Sequence, residues 1–103
     1  MKNAVRKTSS AELDAAEIAD WHEQQEPGLG LRFLDALDAA VAYIIRHSET
    51  PAIQFHDARR VRLHTFEAYA VFYVLRREKI IIFAVSDGRR NPRWIKRRRR
   101  QLG

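Results

Sequence analysis

The chain has 103 residues, 46% hydrophobic and 10% aromatic, which suits one compact domain with a single core and excludes wholesale disorder. It has no cysteine, so disulfide frameworks, thiolate zinc sites and thiol nucleophiles are excluded, and a reducing, cytoplasmic setting is expected. The net charge of +6 is unevenly placed: residues 1–50 hold 5 Lys/Arg against 9 Asp/Glu, a net of −4, while residues 51–103 hold 14 against 4, a net of +10.

The apolar run Ile80 to Val85 is six residues long, against about 18 needed to span a bilayer. The charged start, Met1 to Lys7, is followed by no apolar stretch, so neither a membrane span nor a secretory leader is expected. Residues 3–8 predict a short strand. Ser9 and Glu12 form an S-x-x-E capping box that starts a helix near Ser10. Its apolar face carries Ala11, Ala15, Ile18 and His22, flanked by Leu13 and Trp21. Pro27-Gly28-Leu29-Gly30 breaks it. Phe33, Leu34, Leu37, Ala40, Val41, Ile44 and Ile45 then follow a helical stripe, with Asp35 and Asp38 turned away from it. The two helices should form an antiparallel hairpin.

Thr50-Pro51 ends the helical half and residues 52–57 read as a loop. Val61, Leu63 and Thr65 alternate with Arg60, Arg62 and His64, the pattern of a strand with one buried and one basic face. Tyr69 to Leu75 is apolar on both faces, as a central strand is, and Lys79 to Val85 makes a third strand after the Arg77-Glu78 turn. The expected fold is α+β and two-layer, an N-terminal strand and helical hairpin packed on an antiparallel β-sheet in the order β-α-α-β-β-β. Residues 1–95 read as one domain. Arg93 to Leu102 predicts a short basic helix or, over residues 96–103, a basic C-terminal tail.

His22, His47, His56 and His64 are scattered without metal-ligand spacing, so no metal is expected. Phosphate loops, dinucleotide fingerprints and nucleophile elbows are missing, and no cofactor is expected. The remaining polar signal is basic. Arg60, Arg62 and His64 on one strand, and Arg89, Arg90 and Arg93 beside Trp94, suit either phosphate contact or simple solvation. The same side chains are what metal-free RNA cleavage would use, a base for the 2′-OH and arginines for the charged phosphorane. Trp94 suits base stacking or packing over the sheet edge. The run Lys96 to Arg100 suits nucleic acid, an acidic protein face, anionic lipid or solvent.

Taken in order, the helical hairpin, Arg60-Val61-Arg62-Leu63-His64-Thr65-Phe66, Tyr69-Ala70-Val71-Phe72-Tyr73-Val74, Ile80-Ile81-Ile82-Phe83-Ala84-Val85 and Gly88-Arg89-Arg90-Asn91-Pro92-Arg93-Trp94 resemble the RelE/ParE toxin superfamily. The likeness covers roughly residues 4–95 and is closest to the ParE-type plasmid stabilisation branch. The resemblance implies the toxin of a type II toxin–antitoxin system, neutralised by a small antitoxin whose C-terminal segment wraps it. ParE-like members inhibit DNA gyrase, and RelE-like members cleave mRNA on the ribosome.

Carried over position by position, the resemblance favours gyrase inhibition, a binding activity rather than an enzymatic one. RelE-like nucleases have an arginine in the central strand where this chain has Ala70, their basic group before the C-terminal segment is matched by Arg90 (or Arg89), and their C-terminal catalytic tyrosine has no counterpart. Their lysine-rich patch is absent from residues 52–58, and Asp87 stands where many ParE-type relatives have histidine. The target-binding candidates are Arg60, Arg62, Arg89, Arg90, Arg93, Trp94, Lys96, Arg97 and Arg98, on a basic sheet face and C-terminal tail that would contact gyrase, gyrase-bound DNA, or both. The antitoxin-binding candidates are Trp21, Leu31, Leu34, Arg62 and Tyr73. The alternatives are an mRNA endonuclease with Arg60, Arg62, His64 and Arg90 as its catalytic set, and a degenerate, non-toxic binding module.

Overall fold

The structure, a computed structural model, describes residues 4–103; Asn3, included above in the first strand, lies outside them. Strand β1 (Ala4–Lys7) leads into helix α1 (Ser9–Gln25) and helix α2 (Leu29–Arg46). Then follow β2 (Ile53–Phe55), β3 (Ala58–Arg62), β4 (Tyr69–Arg76), β5 (Lys79–Asp87) and helix α3 (Pro92–Arg100). No helix among the described residues is long and apolar enough to cross a membrane.

Helix α1 starts one residue earlier than the expected capping box. Thr8 is the N-cap, its Oγ1 accepting from the Ala11 amide at 3.1 Å, while its own amide donates to the Ile82 carbonyl at 3.0 Å. One threonine therefore ends the strand pairing and satisfies an orphan helix donor, and Glu12 adds a favourable charge in the first turn. Helix α1 buries Ala11, Ala15, Ala19 and His22, and α2 buries Phe33, Leu37, Ala40 and Ile44. Ile45, placed above on that stripe, is 41% exposed, because it lies at the margin of the face that Ile44 centres.

The turn between them uses Gly28 in the left-handed region (φ 89°), where glycine carries no Cβ penalty. The Glu23 carboxylate accepts from the Gly28 amide at 3.0 Å and the Gly30 amide at 3.1 Å, a carboxylate on the N-terminus of α2 that complements its dipole. Gly30 meets α1 so closely that a Cβ there would lie 2.5 Å from the Ala19 carbonyl oxygen.

The sheet has the order β1-β5-β4-β3-β2. The meander β2 to β5 is antiparallel, as expected, while β1 pairs parallel with β5, Ala4 to Lys7 opposite Lys79 to Ile82. The sheet is thus mixed. Residues 53–55, read above as loop, form edge strand β2; three residues are too few to show an alternation. Strand β3 ends at Arg62, so His64 and Thr65, read as strand, lie in a bend. The helical hairpin covers one sheet face through Val71, Tyr73, Ile80, Ile82 and Val85. On the other face Trp94, Ile95 and Leu102 pack over Ala58, Val74, Ile81, Phe83 and Ala84, so α3 adds a partial third layer.

A bulge sets which residues of β5 face which layer. Phe72 pairs with Ala84 but Tyr73 pairs with Ile82, leaving Phe83 as the extra residue. After it the alternation inverts, which places Ala84 with Phe83 on the α3 face and returns Val85 to the hairpin core.

Candidate functional site

Strand alternation places Arg60 and Arg62 on the same side as Ala58, the face that α3 partly covers. Pairing across the sheet then builds two rows, Arg60 with Phe72 and Ala84, and Arg62 with Ala70 and Ser86. The loop after β5 and the start of α3 form a wall beside these rows. The result is a cleft of about 310 Å³ with Arg60, Phe72, Ser86, Arg90, Ile95 and Lys96 in its lining. Its floor is apolar and its rim cationic, with the Asp87 carboxylate the sole anion of that lining.

The wall is held by short-range hydrogen bonds. The Asp87 carboxylate accepts from the Arg89 amide at 2.9 Å and stands 3.4 Å from its guanidinium, and the Gly88 amide donates to the Ala68 carbonyl at 2.8 Å. Asn91 then caps α3, its Oδ1 accepting from the Arg93 amide at 2.8 Å, with Pro92 in the first turn. Trp94 is half-buried, and the guanidiniums of Arg90 and Arg98 lie 4.4 and 4.5 Å from its ring centroid.

The eight cations from Arg89 to Arg100 do not act alike. Arg98 reaches around the edge of β5 and pairs bidentately with Asp14 of α1, at 2.7 and 3.0 Å. It also donates to the Phe83 carbonyl at 3.1 Å, while Asp14 accepts from the Val85 amide at 3.0 Å. This edge of β5 is open because β1 pairs only as far as Ile82, so the ion pair satisfies backbone groups that no strand reaches. Arg99 pairs bidentately with Asp57, at 2.7 and 3.0 Å, and holds that carboxyl below its usual range. Arg76 donates to the Gly103 carbonyl at 2.6 Å. Helix α3 runs unbroken through residue 95, capped by Asn91 at its start and clamped through Arg98 and Arg99 at its end.

Several expected site residues therefore need correction. Arg98, placed above on the target-binding surface, is spent on Asp14, its side chain 15% exposed. Trp94, also placed on that surface, packs on the second core, which is the packing rather than the stacking alternative of its sequence reading. Tyr73, expected at the antitoxin surface, is fully buried; its hydroxyl donates to the Ser48 carbonyl at 2.7 Å, and burial pushes its pKa up to about 12. His64 lies past β3 in a groove against α2 that Arg60 and Arg62 also line, with Tyr43 and Pro51, while Arg90 lines the cleft beside α3, so the structure brings three of that set together and leaves Arg90 apart from that groove.

Arg60, Arg90 and Lys96 do share the cleft, Arg62 is exposed in the adjoining row, and Arg89, Arg93 and Arg97 are exposed beyond it. Of the hairpin candidates, Leu31 and Leu34 share an apolar groove with Ala16, Ala19 and Gly30. Trp21 instead lines a hollow of about 180 Å³ between α1 and the end of β5, with Glu17, Tyr69 and Arg90. Burial beside Asp87 raises the Tyr69 pKa. Sequence reasoning missed Asp14, Asp57 and Arg99. A carboxylate at position 14, between Ala11 and Ile18 on the inward side of α1, was the available signal, since a buried charge needs a partner.

Compared with known proteins, residues 5–92 match a family model described as the ParE toxin of the type II toxin–antitoxin system parDE. Among solved structures, the chain is similar to one from the chromosomal ParDE toxin–antitoxin system of P. aeruginosa. The two share 15% sequence identity and a TM-score of 0.73, over 82% of this chain and 95% of that one. At that identity the likeness is one of fold. No curated protein sequence matches significantly.

Proposed function

The chain belongs to the ParE toxin family of type II toxin–antitoxin systems, and from that premise we propose that it arrests growth by binding DNA gyrase through the basic cleft. The observation that carries this reading is the cleft itself. Arg60 and Arg90 line one cleft whose central-strand residue is Phe72, with Ala70 in the adjoining row, and neither an imidazole nor a phenol is among the described lining residues. A rim of fixed cations around an apolar floor supports recognition of a large acidic partner more than turnover of a small one. The site of action is the cytoplasm, where gyrase works.

A cognate antitoxin is the second proposed partner, seated on the hairpin groove that Leu31 and Leu34 line. Leu31 is 65% exposed there, and an amphipathic segment would cover it. Acidic residues of that segment would be held off by Glu17, Asp20 and Glu23 around the groove, and so would be drawn toward the basic half of the chain.

The test is controlled expression without antitoxin in a bacterial host carrying a DNA-damage reporter, followed by supercoiling assays with purified gyrase. Arrest with the reporter on, and inhibition weakened about tenfold or more (~1.4 kcal/mol) by Arg60→Ala with Arg90→Ala, is the expected result. Arrest with a silent reporter and cleaved transcripts would replace this reading by mRNA cleavage. No arrest would leave a non-toxic binding module.

A further inference from the structure

The C-terminal run of cations carries an inference that rests on the gyrase reading for its setting. Helix α3 has two stripes at helical spacing. Ile95, Arg98, Arg99 and Leu102 face inward, each at least partly buried, while Arg93, Lys96, Arg97 and Arg100 are exposed on the opposite side. None of the four outward cations forms an ion pair among the described residues. From Arg93 to Arg100 they span about 10 Å of a rigid helix, at 1.5 Å rise per residue.

We propose that this stripe binds the phosphate backbone of duplex DNA without sequence preference, so that the toxin holds the DNA gyrase works on as well as the enzyme. Charge complementarity selects a polyanion, since duplex DNA presents one charge for roughly every 1.7 Å of its axis. A lipid surface is disfavoured because the apolar side of α3, Ile95 and Leu102, is already turned into the sheet. A single-stranded partner is disfavoured because no exposed aromatic among the described residues adjoins the stripe; Trp94 lies half-buried against Arg90 and Arg98. The Arg98–Asp14 and Arg99–Asp57 pairs fix the helix, so the outward cations are presented on a backbone that needs no ordering on binding.

The experiment is fluorescence anisotropy of the full chain with a labelled mixed-sequence duplex from 50 to 200 mM salt. Four phosphate contacts should make binding about 150-fold weaker across that range, the slope being about −0.9 per contact. Arg97→Gln with Arg100→Gln should reduce the loss to about 12-fold, and replacing all four by Gln should abolish binding with the circular dichroism spectrum unchanged. An unchanged slope in the fourfold variant, no binding at 50 mM, or equal displacement by a poly-glutamate peptide would overturn the proposal, the last assigning the stripe to an acidic protein. Gyrase assays separate the two readings. A variant with Arg93, Arg97 and Arg100 replaced by Gln spares Lys96 of the cleft; if it loses DNA but fully keeps inhibition, the claim that the toxin must hold DNA is refuted, while DNA binding without inhibition refutes only the gyrase reading.

Discussion

Asp14→Ala tests the account of the β5 edge. The side chains of Arg98 and Asp14 are 15% and 11% exposed, and removing one partner of a buried pair costs about 3–5 kcal/mol because the other charge stays behind unpaired. The same carboxylate accepts from the Val85 amide, and a buried amide without a partner costs about 1–3 kcal/mol. The two costs overlap, and Arg98 keeps the Phe83 carbonyl and the Trp94 ring. We therefore expect a loss of about 3–4 kcal/mol. That is a large part of the ~5–15 kcal/mol that holds a domain together, and it should lower the melting temperature by at least about 12 °C. Asp14→Asn retains an acceptor for Val85 and should lose roughly half as much. Urea unfolding followed by far-ultraviolet circular dichroism measures each variant. In a double-mutant cycle with Arg98→Met the coupling should exceed about 1.5 kcal/mol. A loss below about 1 kcal/mol for Asp14→Ala, or additive effects in the cycle, would refute the reasoning.

Gly30→Ala should destabilise despite alanine's better helix propensity of ~1 kcal/mol, because the new Cβ would lie 2.5 Å from the Ala19 carbonyl oxygen and force the helices apart; a higher urea midpoint would contradict this. The Tyr73 pKa is raised to about 12 by burial, so its stabilisation is complete below the unfolded value near 10 and disappears as pH rises through about 12. Tyr73→Phe should flatten that alkaline decline while losing about 1 kcal/mol at neutral pH with the hydrogen bond to Ser48, as unfolding curves at both pH values will tell. For Asp57, which Arg99 depresses, the sign reverses: its contribution is present above the unfolded value of about 3.9 and is lost as pH falls through the lower folded value. Asp57→Asn should shrink the acid-side loss of stability, modestly because Asp57 is 46% exposed; an unchanged acid limb would count against the pair.

The fold was legible in the sequence where periodicity was strong. Phe33, Leu37, Ala40 and Ile44 repeat at helical spacing over a long window, and Tyr69 to Leu75 is apolar throughout, so both elements and the α+β class could be read directly. Three features were not. Strand β2 is three residues long and exists through pairing with β3, a tertiary fact. The parallel placement of β1 depends on where α1 returns the chain. The β5 bulge at Phe83 is invisible in an unbroken apolar run, because either face accepts any of those side chains. The site divides the same way: Arg60 and Arg90 were found as cations, but their meeting in one cleft follows from strand register, and Tyr73 was lost to the core because its polar tip finds the Ser48 carbonyl there.

The run Lys96 to Arg100 shows why composition alone could not assign these charges. Five consecutive cations read as one feature, yet a helix turns each successive residue by about 100°, so neighbours in sequence face different surroundings. Arg98 and Arg99 fall on the inward side and meet Asp14 and Asp57, carboxylates 84 and 42 residues away. Lys96, Arg97 and Arg100 fall outward. Substitutions along the run must then separate into two kinds. Arg98→Gln should cost stability and, through it, toxicity, and toxicity should return at lower growth temperature. Arg97→Gln should leave the melting temperature within about 2–4 °C, the small change expected at an exposed position, and act on binding at every temperature. Measuring melting and growth arrest for both variants at two temperatures checks this, and an Arg98→Gln protein with an unchanged melting temperature would show that the clamp on β5 is not what orders the helix.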